Sequence, residues 1–169
     1  MKNNRGFSLL ELLIVVAIIG LIAAIAIPNL LASRRAANEA STISSLRTLY
    51  SANASYAAST GNGDYAGLDA TVGVSALADL YTAHLIDSEL ASGDKSGFTI
   101  IGDRTAATNT ELATFYFSAN PTTPSGLLLS GTKRFGVETS AVIHYDATDA
   151  LLAVPFDEVT VVAALPLEN

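Results

Sequence analysis

Glu11 is the most chemically informative residue of the sequence, because it is an acid inside an apolar run. From Phe7 to Ile27 it is the only ionisable side chain. A carboxylate at the depth of a membrane helix costs about 2.5 to 3.5 kcal/mol on insertion scales, so such an acid normally marks a partner or a function. The position of Glu11 therefore makes it the first candidate for a functional residue.

Other residues that could do chemistry fit no catalytic pattern. His84 and His144 fall in different predicted elements and lack the helical spacing of a metal-binding pair. The sequence contains no nucleophile elbow, P-loop or dinucleotide-binding glycine pattern. The neighbouring acids are interpreted as solvated surface groups: Asp87 with Glu89, and Asp157 with Glu158. We predict neither an enzyme nor a cofactor.

One loop, "GNGDYAGLD", carries oxygen ligands that calcium could use. They are Asn62, Asp64 and Asp69. Their spacing is not that of an EF-hand, and loops rich in Asn and Asp are usually turns. The interpretation as a turn is therefore preferred, and no metal site is predicted.

The composition excludes some classes of protein. Of the 169 residues, 50% are hydrophobic and 15% are charged, and the apolar excess lies mainly in residues 7–31. The chain has no Cys and a formal net charge of −7. An acidic chain without a basic stripe is not expected to bind nucleic acid, since that binding depends on phosphate contacts.

The apolar segment is long enough to cross a membrane. As a helix, residues 7–27 would extend roughly 30 Å, the thickness of the hydrocarbon core. Lys2 and Arg5 precede it, which favours a cytoplasmic amino terminus. Arg34 and Arg35 mark the far end of the stretch, where lipid headgroups could accommodate them. A signal peptide cleaved near "AIAIP" and a plain anchor are the alternatives, but an acid such as Glu11 is unusual in either.

The segment "GFSLLELLIVVAIIGLIAAIAIP" resembles the amino terminus of the type IV pilin family, which includes the pseudopilins of type II secretion. The resemblance implies that prepilin peptidase cuts between Gly6 and Phe7 and that the new amine of Phe7 is methylated. It also implies that Glu11 meets the amine of a neighbouring subunit during assembly. The implied partners are further copies of this chain or related pilins, the peptidase, and an inner-membrane assembly platform.

Gly20 and Pro28 bracket the second half of the apolar segment. Gly lowers helix stability by about 1 kcal/mol, and Pro removes a backbone hydrogen bond and crowds the preceding turn. A kink near Pro28 is the simpler prediction. The resemblance implies that the segment between the two residues loosens when the subunit leaves the bilayer for a fibre.

The sequence after the apolar segment, taken together with that segment, predicts an α+β fold. In this fold, the second half of a long amino-terminal helix packs on a small antiparallel sheet. The predicted division is a cleaved leader (1–6), a transmembrane and assembly helix (7–31), its amphipathic continuation (32–58) and a sheet domain (59–169). The buried face of the continuation is predicted from residues spaced by three or four: Ala36, Ala40, Ile43, Leu46, Tyr50, Ala54 and Ala57. Arg47, Thr48, Ser51 and Asn53 are assigned to the polar face.

Beyond a break at Gly61 and Gly63, a short helix is predicted at residues 75–82, with Leu77, Leu80 and Tyr81 inward. Four short strands follow: "SGFTIIG", "ELATFYFSA", "KRFGVET" and "AVIHYDA". The apolar tail from residue 151 is expected to add another strand or to cover a neighbouring subunit.

These features predict a structural, prepilin-like subunit that polymerises through its apolar helix. The fibre would be either a type IV pilus or a type II secretion pseudopilus, and the absence of Cys slightly favours the pseudopilin. The precursor would span the inner membrane once before joining a periplasmic or cell-surface fibre. The alternative is a membrane-tethered periplasmic binding module whose helix is only an anchor.

Overall fold

A long α-helix, α1 (Leu9–Ala58), begins the fold. The structure is a computed structural model, and it describes residues 7–68 and 73–167. The helix agrees with the prediction of one helix from Phe7 to Ala58. The chain separates into two compact units between Arg34 and Arg35, so the second part of α1 belongs to the unit that contains the sheet.

The second part of α1 buries a face that the spacing of apolar residues only partly predicts. Leu46 is buried as expected, but Ala36, Ala40 and Ala54 are exposed and Asn53 is buried. Asn53 is tolerated inside because its Oδ1 accepts a hydrogen bond of 2.8 Å from the N–H of Ala66. The buried residues of α1 are Thr42, Ser45, Leu46, Leu49, Ala52 and Asn53.

A glycine-containing turn ends α1, as predicted. The N–H groups of Gly61 and Gly63 donate to the carbonyls of Tyr56 and Ala57 at 2.8 and 3.0 Å. Gly63 has a φ of +100°, which a residue with a side chain rarely adopts. Gly61 and Gly63 therefore satisfy carbonyls at the end of the helix and turn the chain.

Two short helices follow. Helix α2 (Ser75–Thr82) has the predicted bounds and buries Leu77 and Leu80. Tyr81 is 48% exposed, so its predicted inward position is wrong. Helix α3 (Ser88–Ala91) was not predicted, and Asp87 caps it by accepting a hydrogen bond of 2.8 Å from the N–H of Leu90.

Six antiparallel strands form one sheet in chain order. They are β1 (Asp94–Lys95), β2 (Phe98–Thr105), β3 (Thr114–Pro121), β4 (Arg134–Glu138), β5 (Ile143–Asp146) and β6 (Leu165–Pro166). The four predicted strands correspond to β2 to β5, with ends displaced by up to three residues. A strand of two residues shows no periodicity, which is why β1 was not predicted and why β6 was expected only as a further strand somewhere in the apolar tail. The α+β class with an antiparallel sheet is confirmed.

The core of the second unit lies between α1 and the sheet. Leu46 and Leu49 are fully buried with Phe98, Phe115 and Phe117 in one hydrophobic cluster. The spacing of three residues between the two leucines places both on one face of the helix. Phe115 and Phe117 alternate along β3, so both rings reach the same side of the sheet.

The carboxy-terminal segment covers the other side of the sheet. A 3-10 turn (Asp149–Leu151) comes first, followed by helix α4 (Glu158–Ala163). Asp157 is the N-cap of α4 and forms a capping box with Thr160, in which each side chain accepts a hydrogen bond from the other residue's backbone N–H. Val161 packs with Phe156 and Tyr116. Strand β6 then pairs with β5, which confirms that the tail adds a strand.

Candidate assembly segment at the amino terminus

Ser8 and Glu11 form a variant of the capping box at the start of α1, in which Oγ of Ser8 accepts from Leu10 rather than from the N–H of Glu11. The backbone N–H of Ser8 donates to Oε2 of Glu11 at 2.9 Å, and the N–H of Leu10 donates to Oγ of Ser8 at 3.3 Å. The first four N–H groups of a helix have no partner within the helix, and this arrangement satisfies two donors at the helix start. The negative charge of Glu11 also lies at the positive end of the helix dipole.

The capping role of Glu11 was missing from the sequence-based interpretation, although Ser-x-x-Glu is its recognised signature. Glu11 therefore has a local partner, and Ser8 joins it as a residue of the site. Among the described residues, no hydrogen bond reaches Oε1 of Glu11. The carboxylate can keep its bond to Ser8 and still accept a donor from another molecule.

The predicted cleavage junction lies immediately before the capping box. Phe7 precedes the helix and is 84% exposed. Gly6 and the remainder of the leader, including Lys2 and Arg5, lie outside the described residues. A cut after Gly6 would place the new amine on the residue next to Ser8. Cleavage and methylation of Phe7 stay predictions.

Gly20 and Pro28 both lie inside α1, which is assigned as helical through both positions. A Cβ added at Gly20 would meet no atom within 4 Å. Pro28 has no N–H to donate to the preceding turn. Both residues therefore weaken the helix without interrupting it, and its loosening between them remains a prediction.

The apolar side chains of the first unit are exposed. By length and composition, α1 is the helix of the described residues that is able to cross a membrane. A contiguous apolar surface of this kind marks a site of contact with lipid or protein. The exposed large side chains are Phe7, Leu9, Leu10, Leu12, Leu13, Ile14, Val15, Val16, Ile18, Ile19, Leu21, Ile22, Ile25, Ile27 and Leu30.

Asp64 has structural partners in the loop that was considered for calcium. Its Oδ2 lies 3.6 Å from Nη1 of Arg104, and its Oδ1 accepts a hydrogen bond of 3.4 Å from the N–H of Ala107. Asn62 occupies a left-handed turn position, with a φ of +57°. Asp69 lies outside the described residues. Within the described ranges, no group of three His, Asp or Glu side chains is placed to hold a metal ion.

A partly buried ion pair lies beneath the carboxy-terminal segment. Arg134 is buried, and its Nη2 lies 2.7 Å from Oδ2 of Asp146, the residue directly opposite on β5. Nη1 of Arg134 donates to the carbonyl of Val154 at 2.7 Å, and its guanidinium lies 4.0 Å from the ring centre of Phe156. The groove above this pair has a volume of about 660 Å³. Because both charges are paired, the groove offers an incoming ligand no unpaired charge from Arg134 or Asp146.

The hydrogen bonds and the ion pair of Asp146 also change the pKa of its carboxyl. Burial alone would raise the pKa of its carboxyl, but hydrogen bonds from Thr148 and the charge and hydrogen bonds of Arg134 lower the pKa below its ordinary value. On the same strand, His144 places Nδ1 3.0 Å from the carbonyl oxygen of Ala164. The side chains of Asp146 and His144 thus hold the carboxy-terminal half of the domain together.

Tyr116 also has a shifted pKa. Burial, followed by the negative charges of Asp103, Asp157 and Glu158, raises the pKa of its hydroxyl to about 12. The phenol therefore stays protonated at physiological pH. Its ring packs with Phe156 and Val161, which is a structural role.

Comparison with known proteins separates the beginning of the chain from the rest. The family described as "Prokaryotic N-terminal methylation motif" matches residues 1–27. The amino terminus is a prepilin methylation motif. The amino-terminal segment is therefore similar to that of type IV pilins.

Two curated relatives each match part of the chain. The type IV wide pilus major component of Thermus thermophilus is 62% identical over 39 residues, which is 23% of this chain and 30% of that protein. The type IV major pilin protein of Myxococcus xanthus is 49% identical over 54 residues, which is 32% of this chain and 24% of that protein. The matched parts thus span less than a third of either relative. No solved structure matches the chain significantly.

Proposed function

We propose that this chain is a prepilin-like structural subunit that is processed between Gly6 and Phe7 and polymerises through its amino-terminal helix. The observation that carries the proposal is the methylation motif placed on an exposed apolar helix whose first turn holds a carboxylate. The subunit enters the inner membrane as a single-pass precursor with its amino terminus in the cytoplasm. It then leaves the bilayer to join a fibre.

The exposed apolar surface provides the driving force for membrane insertion and then for assembly into the fibre. In water, each Å² of apolar area removed from solvent contributes about 25 cal/mol, so the helix needs lipid before assembly and neighbouring helices after it. A bundle of apolar helices from many subunits replaces the lipid in the fibre. The sheet unit has its own core and remains outside this bundle.

Glu11 sets the position at which the helices of neighbouring subunits align in the fibre. One carboxylate oxygen accepts the N–H of Ser8, and the other is available to the ammonium of Phe7 on a neighbouring subunit. An unpaired charge in an apolar bundle is costly, whereas a charge that is paired and hydrogen-bonded is tolerated. Association therefore favours the position at which the carboxylate of one subunit and the amine of the next meet.

A surface pilus is the better-supported fibre. Both relatives described above are named as pilus components. This similarity outweighs the weak preference for a pseudopilus that the lack of Cys suggested. The partners in this proposal are further copies of the chain, a prepilin peptidase and an inner-membrane assembly platform.

The mature amino terminus tests this proposal. Mass spectrometry of the protein from its native cells should find a chain that begins with methylated Phe7. An intact Met1 would instead support a simple tethered module, and a start near Ile27 would support a signal peptide.

Substitution of Gly6 provides a matched pair of variants for the same measurement. We expect Gly6→Ala to be processed, because the side chain added at the cut is small. Gly6→Leu should retain the leader, because a bulky side chain at that position blocks the peptidase. Processing of both variants to the same extent would contradict cleavage at this junction.

A further inference from the structure

Two leucines are exposed at the tip of the loop between β3 and β4. The side chains of Leu127 and Leu128 are 79% and 70% exposed. The base of the loop is closed, because the N–H of Ser130 donates to the carbonyl of Thr123 at 3.0 Å and the N–H of Thr123 donates to Oγ of Ser130 at 3.1 Å. Residues 124–129, which we call the leucine loop, therefore present two adjacent apolar side chains from a fixed base.

The base of the leucine loop is attached to α1. Nδ2 of Asn38 donates to the carbonyl of Ser130 at 3.0 Å. Oε1 of Glu39 accepts two hydrogen bonds from Thr132, from the N–H at 2.7 Å and from the hydroxyl at 2.8 Å. The leucine loop is thus fixed beside the part of α1 that enters the sheet unit first.

This attachment limits the distance between the leucine loop and the membrane. Asn38 follows Arg34 by four residues, and four residues of chain span at most about 14 Å in any conformation. Leu128 is two residues from Ser130, which adds at most about 7 Å. If residues 7–31 span the bilayer, the chain keeps the leucine loop within reach of the headgroup region, whatever direction it takes after Arg34.

The charges around the leucine loop also favour a lipid surface. Residues 122–133 contain no acidic side chain and end at Lys133, although the whole chain has a formal net charge of −7. The carboxylate of Glu39 lies at the base of the loop, where it accepts the N–H and the hydroxyl of Thr132. Arg34 and Arg35 lie close in sequence to the attachment at Asn38. Basic residues next to a bilayer are attracted to anionic lipids, and this attraction is strongest within about one Debye length.

An exposed leucine at the opposite end of the sheet serves as a control for the leucine loop. Leu112, in the loop between β2 and β3, is 89% exposed and follows Glu111. At one end of strand β2, Phe98 pairs with Pro121, which leads into the leucine loop. At the other end, Thr105 pairs with Thr114, next to the loop that carries Leu112. Eight residues of strand separate the two ends by about 23 Å, at 3.3 Å per residue. Leu112 therefore has similar exposure without nearness to α1 at Asn38.

We propose that the leucine loop inserts Leu127 and Leu128 into the headgroup region of the membrane that the apolar helix spans. This second contact orients the sheet unit on the bilayer while the subunit waits for assembly. The proposal rests on the proposed membrane-spanning precursor. Contact of the loop with a second copy of the chain is the competing possibility, and the experiment below separates the two.

The chain contains no Trp, so a single introduced Trp reports on one position. The variants are Leu128→Trp as the test, Leu112→Trp as the exposed control and Ile18→Trp within the apolar helix. Each full-length precursor is reconstituted at low density into two sets of phosphatidylcholine and phosphatidylglycerol vesicles. In one set the acyl chains are brominated near the headgroup, which tests Leu128→Trp and Leu112→Trp. In the other they are brominated near the chain ends, at the depth expected for Ile18→Trp. Bromine quenches Trp fluorescence only at short range.

We expect Leu128→Trp to show blue-shifted emission and quenching several-fold stronger than that of Leu112→Trp. Equal quenching of these two variants, with Ile18→Trp strongly quenched, would overturn the leucine-loop proposal and leave the membrane-spanning precursor intact. Absence of quenching at Ile18→Trp would contradict the precursor itself. A blue shift of Leu128→Trp that appears only at high protein density, without quenching by lipid, would assign the loop to a second copy and overturn lipid contact.

Discussion

The backbone N–H of Ser8 donates a 2.9 Å hydrogen bond to the carboxylate of Glu11, so the acid in the apolar segment already has a partner within its own chain. Two roles for Glu11 follow from this geometry. One is local, because the carboxylate caps the helix. The other is intermolecular, because the proposed assembly needs its negative charge. The two roles make different demands on the side chain.

Glu11→Gln separates the two roles. Gln retains an oxygen that can accept the N–H of Ser8, since a capping box tolerates Gln in this position, but it carries no charge. We expect the variant to be inserted and processed normally and to enter fibres poorly. Processing is measured by the mass of the subunit, and assembly by recovery of sheared fibres.

Ser8→Ala is the matched control for Glu11→Gln. It removes the Oγ that accepts from Leu10, at a cost of about 1 kcal/mol to the helix start, but keeps the backbone N–H that donates to Glu11 and the charge of Glu11. Its fibres should therefore form nearly as well as those of the wild type. If Glu11→Gln fills fibres normally, the charge of Glu11 is not needed for assembly and the pairing with Phe7 is wrong.

The sequence was most informative where a pattern is local. Residues 7–58 combine an apolar run with a spacing of three or four, which is sufficient to predict one helix. The Ser-x-x-Glu signature was equally local, and it was the one capping signal at the start of α1. Its importance is visible only when the hydrogen bond between Ser8 and Glu11 is seen.

The sequence was least informative where burial depends on distant partners. Asn53 is polar and was assigned to the surface, but the N–H of Ala66, in a later loop, makes its burial favourable. Tyr81 was predicted to face inward with Leu77 and Leu80, yet its position on α2 leaves it exposed. Arg134 and Asp146 become an obvious pair only when the register of β4 and β5 is known.

Removal of residues 1–31 should leave a folded, monomeric domain. The second unit begins at Arg35 and has its own core, in which Leu46 and Leu49 are fully buried against the sheet. The truncated chain loses the exposed apolar surface that would otherwise cause association. Circular dichroism and analytical ultracentrifugation should find cooperative unfolding and a single monomeric species. A molten or aggregated product would contradict the division of the chain at this point.

Arg134→Met should strongly destabilise the same truncated domain. The substitution leaves the partly buried carboxylate of Asp146 without its cation and the carbonyl of Val154 without this donor, and a buried polar group left unpaired costs about 1 to 3 kcal/mol. Lys133→Met is the matched control, because Lys133 is only partly buried and lies 4.6 Å from the ring centre of Tyr145. We expect it to cost less than about 1 kcal/mol, in line with an exposed cation–π contact. Urea denaturation measures both values, and similar costs would contradict a special role for Arg134.

The stability of the domain should fall in acid partly through Asp146. Its pKa in the folded state is lowered from the ordinary value of 3.8, so its contribution is fully present above that value and disappears as the pH falls through the folded pKa. Asp146→Asn should remove this part of the pH dependence and give a flatter curve below about pH 4. Urea midpoints measured across the acid range test this. A curve parallel to that of the wild type would show that other carboxyls cause the acid sensitivity. Asp157 is one candidate, because hydrogen bonds with Thr160 lower the pKa of its carboxyl.

Gly102→Ala should destabilise the sheet because β2 has no room for a side chain at this position. A Cβ added at Gly102 would overlap the ring of Phe117, which is fully buried in the core. Overpacking of this kind typically costs about 1 to 3 kcal/mol. Gly73 is the matched control, since it forms a bridge with Gly102 itself, yet a Cβ added there would meet no atom within 4 Å. Gly73→Ala should therefore change the urea midpoint little, and equal losses in the two variants would show that the bridge, rather than the space beside Phe117, requires glycine.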